Sequence, residues 1–481
     1  MIETDIVNTT GGKVQGFVSD VYEIFLGVPF AKAKRFCPPE EINWEGTFRA
    51  VHYGPRCWQA PRKMQSISKE KFNMSDDCLN MNIFTPSIKG KLPIVVDIYG
   101  GAFQNGGADK KIKTGVGLLK GEQFVYVGFN YRVGVWGYLY LGKKLGDKYK
   151  TSGNNGTLDQ IAALKWIYNN AAAFGGDRDR ITVIGESAGA KSIGALMVAK
   201  ESKNLFHSAV LSSGGIQSIR DTNTAHEITK RFLKILKLNN IEDILTVDND
   251  ILTKANEEFC SSGVSTCYFG PVADDIVIPT DWHEDIKSEN GWKGKAVIGC
   301  NKNECGWYSY FAQDEEFNTI AKQLFGDNAV YAENEFSKIA SDIDEKERIQ
   351  KKCDILSDYM YRTHTYKLAD TLIERGLTVW QYSYELPPAL HALDMMALWE
   401  EEVPEMLIKI LSQEQLKKSG DILRDMYVGF AINGEPKFTS KWLPSTKEQK
   451  YVFRINEAAK VEKLNGSDAL MDFPEEAILL K

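Results

Sequence analysis

The sequence predicts an α/β fold with a large, mostly parallel central sheet flanked by helices. Through most of the first half of the chain, short apolar runs that end at turn residues alternate with amphipathic segments. Three of these runs stop just before Gly100-Gly101, Asn130 and Gly185, where a strand would turn toward a helix. This rhythm is typical of a parallel sheet, because parallel strands are joined by crossover connections that are usually helices.

The elements of the first half follow from residue type and periodicity. Apolar and β-branched residues predict strands at residues 94–98, 124–127 and 181–184. The first of these lies in a longer apolar run, Leu92–Ile98, that is interrupted only by Asp97. Apolar side chains at near-helical spacing predict a helix over residues 158–170.

The second half of the chain is more charged and more helical. Residues 333–372 predict a set of helices, and residues 378–384 predict a last strand before the Pro387-Pro388 break. The chain contains no internal repeat and no linker rich in Pro, Ser and Gly. Its 481 residues would suffice for about three average domains, but large α/β enzymes often use this length for one. We therefore predict a single elaborated domain over residues 1–481.

Composition excludes several classes of protein. Hydrophobic residues make up 43% and charged residues 26% of the chain, which predicts a globular protein with a large core. Lys and Arg number 58 against 65 Asp and Glu, a net charge of −7, and the densest basic run is Lys110, Lys111 and Lys113. This balance argues against nucleic acid as a partner. No run approaches the roughly 18 apolar residues of a membrane-spanning helix.

The N-terminus and the cysteines bear on compartment and metal binding. Residues 1–5 carry acidic side chains where a signal peptide would carry Lys or Arg, so we expect a cytoplasmic protein. The 8 cysteines are too sparse for a disulfide scaffold and lack the paired spacing of a zinc site. We expect no metal and no cofactor.

The motif Gly185-Glu186-Ser187-Ala188-Gly189 is the one G-x-S-x-G in the chain, and it lies between a predicted strand and a helix-like run at residues 188–200. A nucleophilic serine on such a sharp turn needs neighbours without bulk, and Gly185 and Gly189 meet that need. The dipole of the following helix would favour an oxyanion there. The motif alone is weak, with about 0.2 chance matches expected. A glycine-rich turn with an ordinary hydroxyl is the alternative.

Acyl transfer also needs oxyanion donors, a base and an acid. The small residues of Gly100-Gly101-Ala102-Phe103 follow a predicted strand and are the candidate donors, with a tight turn as the alternative. Of the 6 histidines, His364 and His391 come late enough to be the base. His364 falls in a predicted helix, whereas His391 follows a strand and the Pro-Pro break, in a loop. Glu304, just past a short apolar strand, is the candidate acid.

The sequence resembles the type-B carboxylesterases, an α/β-hydrolase family that includes para-nitrobenzyl esterases, bile-salt-activated lipase and cholinesterases. The longest similar block, residues 173–190, contains the serine motif. Other similar blocks are residues 25–31, 76–83, 99–103, 130–133, 205–214, 269–274, 299–306, 391–394 and 430–436. The resemblance implies an α/β-hydrolase fold and a serine carboxylesterase that hydrolyses small-molecule esters through an acyl-enzyme.

Carried over residue by residue, the resemblance also implies the site. It assigns Ser187 as nucleophile, His391 as base and Glu304 as triad acid, with an oxyanion hole formed by the backbone N–H groups of Gly101, Ala102 and Ala188. It implies a disulfide between Cys57 and Cys78, which a reducing cytosol would keep as thiols, and places Cys260 and Cys267 near a second family disulfide. The tryptophan that holds choline in cholinesterases has no counterpart between Cys57 and Cys78, where the one tryptophan is Trp58. A choline ester is therefore disfavoured.

Aromatic side chains near the predicted site are candidates for an apolar substrate pocket, with a place in the core as the alternative. They are Phe103, Trp307, Tyr308, Tyr310 and Phe311. Two other functions compete with an esterase. A catalytically silent binding protein would usually have lost a triad residue, and none is lost. A lipase would need an exposed apolar lid, and none is recognisable.

Overall fold

The computed structural model describes residues 2–60, 72–109, 117–121, 123–261, 269–438 and 442–464. The strands in these ranges are β1 (Ile2–Glu3), β2 (Val7–Asn8), β3 (Lys13–Gln15), β4 (Phe17–Val18), β5 (Glu23–Pro29), β6 (Lys32–Ala33), β7 (Pro39–Glu40), β8 (Thr47–Arg49), β9 (Asn80–Thr85), β10 (Leu92–Ile98), β11 (Val125–Phe129), β12 (Gly176–Glu186), β13 (Ser208–Ser212), β14 (Arg220–Asp221), β15 (Val272–Ala273), β16 (Lys295–Asn301), β17 (Val379–Tyr384), β18 (Tyr451–Ile455) and β19 (Ala459–Lys463). The α-helices are α1 (Gly134–Tyr138), α2 (Gly142–Leu145), α3 (Asn155–Asn170), α4 (Ala188–Val198), α5 (Thr222–Leu236), α6 (Asn249–Ser261), α7 (Trp282–Lys287), α8 (Phe317–Phe325), α9 (Ala329–Ser337), α10 (Glu345–Ser357), α11 (Thr363–Glu374), α12 (Leu393–Leu398) and α13 (Gln413–Asn433). A π-helical turn, Asp358–Arg362, joins α10 to α11.

One large sheet organises the described residues. Its strand order is β1-β4-β5-β9-β11-β10-β12-β13-β16-β17-β18-β19. Neighbouring strands from β11 to β18 are parallel. The strands at the two edges pair antiparallel. The predicted α/β class, with a mostly parallel central sheet flanked by helices, is confirmed.

Two hydrophobic clusters cover the two faces of this sheet. On β10, Ile94, Val96 and Ile98 belong to one cluster together with apolar residues of α3 and α4. Val95 belongs to the other, together with apolar residues of α12 and α13. This division follows from the two-residue period of a strand, which sends successive side chains to opposite faces. Asp97 shares the face of Val95, and its carboxylate accepts a hydrogen bond from the Tyr126 hydroxyl at 2.8 Å.

The parallel arrangement brings the carboxyl ends of four strands together at one edge of the sheet. Gly100 follows β10, Ser187 follows β12, Glu304 follows β16, and His391 follows β17. In open α/β sheets this edge is where ligands bind. In the described ranges, no helix has an apolar stretch long enough to cross a bilayer.

Candidate active site

Ser187 occupies the sharp turn between β12 and α4. Its backbone has φ 55° and ψ −119°, a combination that is strained for any residue with a side chain. The Ser187 amide donates to the Ser212 carbonyl at 2.9 Å, which ties the turn to the neighbouring strand β13. The turn therefore holds the hydroxyl at the carboxyl edge of the sheet, with the residue 7% exposed.

The small residues around Ser187 are required by close backbone contacts. A Cβ on Gly185 would lie 2.6 Å from the carbonyl carbon of Gly189. A Cβ on Gly100 would lie 2.6 Å from the carbonyl oxygen of Glu186. The G-x-S-x-G pattern is thus a packing requirement of this turn, as the sequence predicts.

His391 joins Ser187 to Glu304. Its Nε2 lies 3.0 Å from Ser187 Oγ, and its Nδ1 lies 2.5 Å from Glu304 Oε2. With the proton on Nδ1, that nitrogen donates to the carboxylate and Nε2 is left to accept from the serine hydroxyl. This arrangement can transfer the Ser187 proton to the imidazole while the carboxylate orients the ring.

Glu304 is buried and held by two further donors. Its Oε1 accepts from Ser213 Oγ at 2.5 Å and from the Asn301 amide at 2.8 Å. The Asn301 side chain in turn donates to Asp394 at 2.9 Å, a carboxylate that also accepts from Ser212 Oγ. Burial raises the pKa of Asp394, against the opposing effect of those two donors. Sequence reasoning did not identify Ser213, Asn301 or Asp394, because their contacts depend on how separate strands meet.

The charges around His391 change its proton affinity. Burial by itself lowers the pKa of His391, but the neighbouring Glu186 and Glu304 carboxylates outweigh it and raise the pKa above its ordinary value. Glu186 Oε1 lies 3.2 Å from His391 Nε2. The Lys191 ammonium acts in the opposite direction and lowers this pKa. Neither Glu186 nor Lys191 was identified from the sequence as a residue that acts on the base.

The alternative base, His364, lies in α11. Burial lowers the pKa of this imidazole to about 3, so the ring is neutral at ordinary pH. It is 5% exposed and is not among the described residues that line the cavity beside Ser187. Of the two late histidines, the structure brings His391 to Ser187.

Gly101 and Ala102 line the same cavity as Ser187. Gly101 and Ala102 have φ values of 121° and 55°. Their N–H groups donate to no backbone carbonyl within the described residues. Ala188 is the first residue of α4, so its N–H has no partner within the helix. Backbone N–H groups that donate to no other group can stabilise an oxygen that carries negative charge.

An open cavity extends from Ser187 and His391 over the carboxyl edge of the sheet. It contains about 1770 Å³ of atom-free space, part of which is open to solvent. Charged, aromatic and thioether side chains line it, among them Glu186, Lys191, Tyr361, Met395, Met396 and Trp399.

The structure places the predicted pocket aromatics elsewhere. Phe103 is buried and packs edge-on against Tyr138, with 5.1 Å between the ring centroids. Trp307 packs against the cluster under α12 and α13, and Tyr308 packs against the cluster formed by α8 to α10. Phe311 is 68% exposed. Tyr310 is also exposed. None of the five is among the described residues that line the cavity, which differs from the expectation.

The cysteines and the possible metal ligands lie in several parts of the chain. Cys57 and Cys78 are buried free thiols, and a hydrogen bond with Cys57, together with burial, raises the pKa of Cys78. Cys260 is also a free thiol. Cys267 and the basic run at residues 110–113 lie outside the described residues. Within the described residues, no group of three or more His, Cys, Asp or Glu side chains is placed to hold a metal ion.

Comparison with known proteins identifies relatives along the chain. The sequence matches the model of the carboxylesterase family over residues 3–471. It is 28% identical over 470 residues to the para-nitrobenzyl esterase of Bacillus subtilis, covering 92% of this chain and 93% of that protein. It is 34% identical over 343 residues to liver carboxylesterase 1F of Rattus norvegicus, covering 63% of this chain and 59% of that protein.

Solved structures resemble the whole chain. The crystal structure of the Geobacillus stearothermophilus carboxylesterase EST55 at pH 6.2 matches with a TM-score of 0.84 at 27% identity. That match covers 99% of this chain and 100% of the other. A structure of PNB esterase matches with a TM-score of 0.77 at 26% identity, over 96% of this chain and 98% of the other.

Proposed function

The chain belongs to the carboxylesterase family and is a carboxylic ester hydrolase, and we propose that it cleaves small-molecule esters in two steps through an acyl-enzyme on Ser187. The observation that carries this proposal is the continuous set of contacts from Ser187 Oγ to His391 Nε2 at 3.0 Å and from His391 Nδ1 to Glu304 Oε2 at 2.5 Å. A serine is a weak nucleophile at its free pKa, and such a base activates it.

In the first step, His391 takes the proton of the Ser187 hydroxyl as its oxygen attacks the ester carbonyl carbon. The carbonyl oxygen becomes an oxyanion, which the backbone N–H groups of Gly101, Ala102 and Ala188 stabilise. The tetrahedral intermediate collapses, and the imidazolium gives its proton to the departing alkoxide, which leaves as an alcohol. The acyl group remains on Ser187.

In the second step, His391 takes a proton from a water molecule that attacks the acyl-enzyme. The same N–H groups stabilise the second oxyanion, and the imidazolium returns the proton to Ser187 as the carboxylic acid is released. Glu304 accepts the hydrogen bond from His391 Nδ1 and so keeps the imidazole oriented in both steps. No cofactor is required for either step.

We further propose that residues 1–481 form a single α/β-hydrolase domain. The three side chains of the proposed triad all follow strands of one sheet, since Ser187 follows β12, Glu304 follows β16 and His391 follows β17. Separating the chain between any two of these strands would divide the site.

The test is hydrolysis of para-nitrophenyl acetate, butyrate and octanoate by the wild type and by Ser187→Ala and His391→Ala. We expect both substitutions to lower kcat by several orders of magnitude, as removal of a triad member does. The matched control is His52→Ala, which removes an exposed histidine and should leave kcat unchanged. Mass spectrometry of acid-quenched wild type should find the acyl group on Ser187.

The competing functions give different results in the same assay. A folded wild type without turnover would favour a binding protein. A strong preference for emulsified long-chain esters would favour a lipase. A Ser187→Ala variant with wild-type turnover would exclude the proposed acyl-enzyme.

A further inference from the structure

Lys191 is a buried cation beside the proposed nucleophile. It lies on α4 one turn after Ser187, and its amide donates to the Ser187 carbonyl at 2.9 Å. Helical side chains lean toward the N-terminus of the helix, which here is the Ser187 end. Lys191 is only 4% exposed, although lysine is rarely buried to this extent. It lines the same cavity as Ser187 and His391.

Tyr361 connects Lys191 to His391. The Tyr361 ring lies against the His391 imidazole, with 4.4 Å between ring centroids and an interplanar angle of 32°. The Lys191 ammonium lies over the same tyrosine ring, 5.0 Å from its centroid, within the range of a cation–π contact. The Lys191 ammonium therefore contacts the Tyr361 ring, and the same ring contacts the His391 imidazole.

The local backbone around Tyr361 is irregular. Tyr361 lies in the π-helical turn Asp358–Arg362 between α10 and α11. A π-helical turn shifts the side chains that follow it around the helix axis, and such turns often occur at functional sites. Here the turn carries the ring that packs on His391.

Charged and titratable groups face His391 from five elements. Glu186 comes from the end of β12, Glu304 follows β16, and Asp394 comes from α12. Lys191 comes from α4, and Tyr361 from the π-helical turn. The carboxylates favour the imidazolium form, whereas the ammonium disfavours it.

We propose that Lys191 and Tyr361 are positioning residues for His391. The Tyr361 ring fixes the orientation of the imidazole, and the Lys191 ammonium offsets the surrounding carboxylates, so that His391 remains a neutral base to lower pH. This inference rests on the proposed function, in which His391 is the base.

The test is the dependence of kcat/KM on pH, measured with para-nitrophenyl butyrate, because kcat/KM reports the pKa of the base in the free enzyme. Lys191→Met and Lys191→Gln remove a positive charge near His391, so the acid limb of the kcat/KM profile should move to higher pH by about half a unit or more. Lys191→Arg keeps the charge and should retain the wild-type limb. Lys346→Met removes an exposed lysine and is the matched control. Initial-burst titration normalises each rate to correctly assembled sites.

A Lys191→Met or Lys191→Gln limb that coincides with the wild-type limb would overturn the assignment of Lys191. The failure of the proposed function is distinguishable, because it would appear as wild-type turnover in His391→Ala.

The assignment of Tyr361 has its own pair of variants. Tyr361→Phe keeps the ring and should retain kcat, whereas Tyr361→Leu should lower kcat about tenfold with a smaller change in KM, because the imidazole loses its support. Equal kcat values for the two variants, each normalised by burst titration, would overturn the assignment of Tyr361 as a positioning residue.

Discussion

Gly189 lies directly against Ile98: a Cβ added to Gly189 would be 1.9 Å from the Ile98 carbonyl oxygen. This contact packs the first turn of α4 onto the end of β10, the strand that leads into Gly100 and Gly101. This close contact therefore fixes the position of Ser187, the proposed nucleophile, relative to Gly101 and Ala102, two of the proposed oxyanion donors.

Gly189→Ala should strongly lower esterase activity. The added methyl group cannot be accommodated without moving α4 away from β10, which separates Ser187 from the N–H groups of Gly101 and Ala102. We expect a loss in kcat of at least about 100-fold, the order that follows removal of one oxyanion donor. The control is Gly128→Ala in β11, where an added Cβ would meet no atom closer than 3.4 Å. Wild-type kcat in Gly189→Ala would contradict the role given to this contact.

Ser213→Ala should lower kcat while KM changes little. The Ser213 hydroxyl donates to Glu304 Oε1, so its removal leaves a buried carboxylate with one donor fewer on that oxygen. A hydrogen bond to a charged group contributes about 1.5 to 3 kcal/mol, which corresponds to a fall in kcat of about 10- to 100-fold if it is used in the transition state.

Ser202→Ala is the control for Ser213→Ala. Ser202 is equally buried and donates to the Leu196 carbonyl at 2.6 Å, away from the site. It should change thermal stability without changing kcat. Equal kcat values for the two variants would show that the Ser213 contact does not support the base.

Local patterns in the sequence were sufficient for the fold class and for the region of Ser187. The strand Leu92–Ile98 was predictable because its residues are β-branched and apolar, and the turn at Ser187 because Gly185 and Gly189 are packing requirements. Helices occur within residues 333–372 as predicted, but the π-helical turn at Asp358–Arg362 between α10 and α11 was not predicted.

The residues around His391 were not predictable in the same way. Lys191, Ser213 and Tyr361 meet the triad through the pairing of distant strands and helices, for which a single sequence carries no local signal. The pocket prediction assumed that residues next to Glu304 in sequence are next to the site in space. The 3₁₀ helix Gly306–Tyr310 instead begins a segment in which Trp307 and Tyr308 pack against hydrophobic clusters and Phe311 faces solvent.

Trp399→Ala should change the preference for ester chain length, whereas Phe311→Ala should not. Trp399 lines the cavity, so its removal widens the space beside Ser187. We expect the ratio of kcat/KM for para-nitrophenyl octanoate to that for the acetate to rise about tenfold, in line with the 1 to 3 kcal/mol of about one methylene in an apolar pocket. A larger change in this ratio for Phe311→Ala than for Trp399→Ala would instead support the aromatic pocket predicted from the sequence.

Breaking the ion pair of Arg132 and Asp159 should destabilise the protein. Arg132 Nη2 and Nε donate to Asp159 at 2.7 and 2.8 Å, and both side chains are buried. Asp159→Asn leaves the guanidinium without its counter-charge, which typically costs about 3 to 5 kcal/mol. The thermal midpoint should fall by several degrees.

The exposed pair of Arg49 and Glu3 is the comparison for this prediction. Its atoms are 2.6 Å apart, but the two side chains are 64% and 44% exposed. Exposed pairs contribute at most about 1 kcal/mol, so Arg49→Ala should leave the midpoint almost unchanged. A shift as large as that of Asp159→Asn would show that burial does not explain the difference.

Glu186→Gln should move the acid limb of kcat/KM to lower pH. The raised pKa of His391 places the wild-type limb above the ordinary value of 6.5, because the base must be neutral to accept the Ser187 proton. The Glu186 carboxylate, 3.2 Å from Nε2, favours the imidazolium, so a neutral amide of the same shape lowers the pKa and extends activity to more acidic pH. Glu45→Gln, at an exposed position, is the control.

The shift expected for Glu186→Gln is opposite in sign to that expected for Lys191→Met. A general disturbance of the site would not move the acid limbs of the two variants in opposite directions. Limbs that move the same way in both variants would therefore contradict the electrostatic account of His391.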